Sequence, residues 1–113
     1  MARLWIAAVD AGEVSGTVPE HFYGEVANAM SAYVRAGQMR APIAAELVTR
    51  CFDLPLAAQP ARDLVPAAFV RSLQLELTVY DAVYVVLAEA ADAALVTADR
   101  ELARAYDRVE LVA

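Results

Sequence analysis

Along this chain, stretches in which apolar residues recur every three or four positions alternate with short apolar runs bounded by turn-forming residues. After Pro19, the residues Phe22, Val26, Ala29, Met30 and Tyr33 share one helical face; Pro19 suits a first turn and Gly37 a stop, so the spacing predicts a helix over 19–37. The short, partly β-branched stretch from Ser15 to Val18 reads as a strand end, and Leu4 to Gly12 as an earlier helix carried by Trp5, Ala8 and Val9. Pro42 opens another helix to about Phe52. Asp53 to Ala57 then reads as a short strand that Pro55 confines to a sheet edge and Pro60 closes.

A helix from Ala61 to Leu75 follows, with Pro66 either in its first turn or kinking it. From Thr78 the order is a helix to Ala91, a buried strand Ala94 to Thr97, a helix Arg100 to Tyr106 and a last strand Arg108 to Val112. Strands alternating with helices predict an α/β fold with a mostly parallel sheet flanked by helices, which presents ligands beyond the carboxyl ends of its strands.

Composition narrows the function classes. The 113 residues fit one domain, and 60% hydrophobic residues with four Gly and five Pro exclude a disordered or low-complexity chain. Fifteen acidic against nine basic residues leave a net charge of -6, and every basic residue is arginine. Such a chain does not bind nucleic acid by bulk attraction, so handling phosphate requires local arginines or bound cations. The single Cys51 allows neither an internal disulfide nor a zinc-ligand spacing, which predicts a cytoplasmic protein. The apolar run Leu4 to Val9 is shorter than a signal-peptide core, and no stretch approaches the ~20 apolar residues of a membrane span.

Three carboxylates stand where chemistry is possible. Asp99 follows the strand ending at Thr97 and precedes a helix, which makes it both a ligand-facing candidate and an ordinary N-cap. Asp81 lies three residues after Thr78, the spacing of a capping box. Glu25 borders the apolar stripe of its helix, with His21 four residues back and Asn28 three residues on. Read as a set, carboxylates hold hard cations such as Mg²⁺ or Mn²⁺, which neutralise phosphate charge and acidify water.

The run Tyr80-Asp81-Ala82-Val83-Tyr84 with Leu87-Ala88-Glu89, followed by Leu95-Val96-Thr97-Ala98-Asp99-Arg100, resembles the C-terminal half of PIN-domain proteins, and most closely the VapC-like toxins. Pro19-Glu20 and Glu25-Val26-Ala27-Asn28-Ala29 resemble the same family's second acidic motif. The resemblance implies a PIN-like α/β fold and a Mg²⁺- or Mn²⁺-dependent endoribonuclease, the toxin of a bacterial toxin–antitoxin pair. By its motifs Glu25, Asp81 and Asp99 carry over as catalytic and metal-binding residues, and Thr97 and Asn28 as their supports. Arg100 or Arg104, beside Asp99, would steady RNA phosphates.

The family's opening strand, with its Asp-x-Ser-like motif, has no counterpart in place. Asp10 imitates the end of such a strand, but too few residues separate it from Val18 for a parallel crossover, and 2–12 instead resemble the helix before the second strand. The expectation is thus an N-terminally shortened PIN protein that manages its unpaired strand edges as a homodimer or larger oligomer. A second reading is a weak or inactive member that acts by binding an antitoxin or its own copy. A third is a small-ligand module in which Asp99 acts alone.

Overall fold

The computed structural model describes residues 16–97 and 99–111. Its elements run β1 (Gly16–Pro19), α1 (Phe22–Arg35), α2 (Ala41–Asp53), β2 (Leu56–Gln59), α3 (Ala61–Leu75), α4 (Val79–Ala90), β3 (Leu95–Thr97), α5 (Arg100–Arg104) and β4 (Val109–Leu111). The helix expected over 4–12, and Asp10 within it, lie outside the described residues.

This is the α/β arrangement of parallel strands flanked by helices that a PIN-like fold has, with one refinement. The strands form two parallel pairs, β1 with β2 and β3 with β4, and among the described residues no ladder joins the pairs. Between them runs α4, which touches both β1 and β3 and packs most extensively on α3.

α4 is apolar around most of its circumference because it is covered on two sides. Ala82, Val83 and Leu87 join Leu64 and Ala68 of α3 in one buried cluster, while Val85 and Ala88 join Leu95 of β3 and Leu102 of α5 in another. Ala68, Ala82 and Val85 are fully buried, and the two alanines let the α3 and α4 backbones approach closely. Across this pair Arg71 Nε donates to Glu89 Oε1 at 3.1 Å.

Two boundaries depart from the local pattern. Pro19 closes β1 instead of opening the helix, because residues 16–19 pair in register with 56–59 and the Glu20 N–H extends that ladder to the Gln59 carbonyl at 3.0 Å. The strand expected at 53–57 sits at 56–59, since α2 runs on to Asp53 and Pro55 falls in the turn. Pro66 lies within α3 beyond the first turn, where it lacks the N–H that would bond the Arg62 carbonyl. Glu76 ends α3 with φ 56°, in the left-handed region that favours glycine.

Candidate functional site

Two of the three carboxylates sit at helix starts for local reasons. Thr78 caps α4: its Oγ1 accepts the Asp81 N–H at 3.1 Å, one half of the expected capping box. Asp99 caps α5, its Oδ1 accepting the N–H groups of Glu101 at 2.9 Å and Leu102 at 3.3 Å. The N-cap reading of Asp99 and its exposure at a strand end therefore hold together. Thr97 Oγ1 in turn accepts the Asp99 N–H at 3.0 Å, which fixes the backbone where β3 gives way to α5. Glu25 stands in the first turn of α1.

These side chains meet in an open cleft of 360 Å³ lined by Glu25, Asp81, Thr97 and Asp99. The remaining walls are largely apolar, with Phe22 and Val26 from α1 and Leu95 and Leu102 from the core. Asn28, Arg100 and Arg104 are exposed and lie outside that lining.

Asp81 feels the charges of the other two carboxylates. Burial pushes the Asp81 carboxyl above its ordinary value, the charge of Asp99 adds to the rise, and Glu25 and Glu101 contribute further; the nearby Thr78 hydroxyl pulls the other way. Glu25 has a partner that sequence spacing gave no hint of. The Tyr84 hydroxyl donates to Glu25 Oε1 across 59 positions. Burial of Tyr84, reinforced by that hydrogen bond and by the charges of Glu25 and Asp81, raises its phenol far above the ordinary tyrosine range and keeps it a donor. The nearest sequence signal was its place one turn after Asp81 on the same helix.

His21 lies at the same corner, its Nε2 3.5 Å from Glu25 Oε1 without a hydrogen bond, and Nε2 has no hydrogen-bond partner among the described residues. Its ring meets Tyr84 and Tyr80 edge-on, with centroids 5.3 and 5.8 Å away.

An all-oxygen donor set suits a hard divalent cation. Among the described residues no group of three or more His, Cys, Asp or Glu is close enough to enclose one ion. The fit is therefore to an ion such as Mg²⁺, which keeps several waters and takes one or two carboxylates directly. The like charges acting on Asp81 are the repulsion that a cation relieves.

No family model matches the chain. Ribonuclease VapC3 of Mycobacterium tuberculosis, in two strains, is 35% identical over 88 residues, which cover 78% of this chain and 63% of that protein. Ribonuclease VapC3 of Pyrobaculum aerophilum is 33% identical over 84 residues, 73% of this chain and 64% of that protein. The chain thus spans just under two thirds of the length of the curated relatives it matches. Sequence similarity over most of its length ties the chain, at a distance, to the VapC ribonucleases, the PIN-domain toxins that its motifs resemble.

Proposed function

We propose that the chain is a divalent-metal-dependent endoribonuclease of the VapC type, the toxin of a toxin–antitoxin pair. The observation that carries this reading is the convergence of Glu25, Asp81 and Asp99, from two helices and a strand end, on one cleft in which the charges of Asp99 and Glu25 act on Asp81. Similarity to proteins named ribonucleases supports the substrate class.

Glu25, Asp81 and Asp99 would hold Mg²⁺ or Mn²⁺, which when bound neutralises phosphate charge and lowers the pKa of water for in-line attack at phosphorus. Asp99 is held for this by its own backbone, since its Oδ1 stays on the α5 amides while Thr97 fixes its N–H. Phe22 and Val26 line one side of the open cleft with apolar surface, which would strengthen the hold of the carboxylates on a cation there. Arg100, at the start of α5, and Arg104, in its last turn, would meet phosphates beside the cleft, and Asn28, one turn beyond Glu25, would help orient the carboxylates or water at the ion.

The test is calorimetric titration of the chain with Mg²⁺ and Mn²⁺, alongside cleavage of a structured RNA, with Asp99→Asn in parallel. Asparagine keeps the helix cap and removes the charge. Binding and cleavage in the parent, both lost in the variant, support the reading; a parent that neither binds nor cuts ends it.

A second reading is favoured by the apolar side chains left exposed on α2 and α3, among them Phe52, Phe69 and Leu73. On this reading the chain acts by binding an antitoxin or by self-association, as a homodimer or larger oligomer. Light scattering that finds an assembly, together with no metal uptake, separates it from the first.

A further inference from the structure

We propose that Tyr84 is a positioning residue for Glu25: its hydroxyl fixes the orientation of the α1 carboxylate and so sets Glu25 against Asp81. This deepens the metal-dependent reading above and rests on it.

The need for such a residue follows from the packing. Glu25 and Asp81 stand on different helices, yet α1 packs chiefly on α2 and α4 chiefly on α3. No broad helix–helix contact sets the spacing of the two carboxylates. Tyr84 supplies the missing register, because it sits one turn after Asp81 on α4 and its hydroxyl donates to Glu25 Oε1. A single hydrogen bond therefore ties the α1 carboxylate to the helix that carries Asp81.

The donor is itself held. Its ring packs against the buried cluster of Val85, Ala88, Leu95 and Leu102, and the His21 ring meets it edge-on at 87°. His21 Nε2 stands 3.5 Å from the same Oε1. Among the described residues, Oε2 is then the Glu25 oxygen without a protein hydrogen bond. A half-exposed glutamate has three side-chain torsions to order, and a donor already in place removes that disorder before any ligand arrives.

The experiment uses the whole chain and Mn²⁺ alone as the probe, with affinity read by calorimetry and by electron paramagnetic resonance. Four proteins are compared: the parent, Tyr84→Phe, Glu25→Gln and the double variant, each with its unfolding midpoint. Tyr84→Phe keeps the ring and deletes the hydroxyl. It is expected to weaken Mn²⁺ binding on the order of 10- to 100-fold, the usual effect of removing a partner that orients a ligand. In the Glu25→Gln background the same change is expected to add nothing, since Tyr84 acts through that carboxylate.

Equal affinity in the parent and Tyr84→Phe overturns the positioning role and leaves the functional reading intact. So does a Tyr84→Phe loss that is undiminished in the Glu25→Gln background. A parent that takes up no Mn²⁺ overturns the functional reading and the positioning role with it. Should Tyr84→Phe fail to fold, Tyr84→Met, an adaptable apolar side chain that likewise lacks the hydroxyl, takes its place. The same loss, absent in the Glu25→Gln background, supports the proposal, and an unchanged affinity overturns it.

Discussion

Thr97 and Asp99 lock each other's surroundings: the Thr97 hydroxyl accepts the Asp99 N–H at 3.0 Å, and the Asp99 carboxylate turns forward onto the amides of Glu101 and Leu102. One oxygen of Asp99 is thereby committed to structure. Asp99→Ala removes an N-cap, a change that typically costs about 1 kcal/mol, whereas Asp99→Asn keeps the acceptor and should cost little. Urea unfolding of the two variants checks this, and equal destabilisation by both would show that the carboxylate charge, not the cap, carries the effect.

Asp81 should trade stability for charge. Folding raises its pKa above the ordinary value of 3.8, so just above that value the folded chain holds a proton the unfolded chain has released. Stability therefore falls as pH rises through the interval between the two pKa values and stays reduced above it. Asp81→Asn is expected to melt higher than the parent at pH 7, with the gap closing below pH 3.8. Thermal denaturation at both pH values tests this; a variant that melts lower at pH 7 contradicts it.

A cation that relieves this repulsion should stabilise the fold. At 100 times its dissociation constant a single bound ion contributes about 2.7 kcal/mol. Melting temperature is expected to rise with Mn²⁺ in the parent and to stay flat in Asp99→Asn. A parent whose melting temperature ignores the metal counts against the nuclease reading.

At the α3–α4 contact, Ala82 is fully buried against the cluster of Leu64 and Ala68. Ala82→Leu forces extra volume into that seam and is expected to destabilise by about 1–3 kcal/mol. Chemical denaturation measures it, and a neutral result would mean that the two helices separate without penalty.

Glu76 predicts a change in the other direction. It holds φ 56° at the end of α3, where the Leu77 N–H returns to the Ser72 carbonyl at 3.1 Å. Glycine adopts that conformation without the side-chain clash, so Glu76→Gly is expected to stabilise by up to about 1 kcal/mol. A loss of stability in the same assay would refute the assignment of strain to this turn.

The elements that were legible in the sequence are those whose signals are local. Thr78 with Asp81 and Asp99 before Arg100 mark helix starts through bonds spanning two or three residues, and the structure has those bonds. The strands of the first parallel pair lie off their expected bounds because their register depends on residues 40 apart: nothing near Pro19 announces that Gln59 will be its partner. Convergence of the carboxylates on one cleft is likewise a product of tertiary packing, and the motifs pointed to it only through resemblance. Tyr84 belongs to the motif around Asp81, but its bond to Glu25 is made by the fold and by no periodicity.

The absence of a shared ladder between the β1–β2 and β3–β4 pairs in the described residues bears on how the molecule opens. The two pairs are coupled largely through α4, which touches both β1 and β3, so amide exchange in one pair need not follow that in the other. Glu25 rides with the first half, Asp99 with the second, and Asp81 on the helix between. The slowest-exchanging amides should then be those of α4, against which both strand pairs pack.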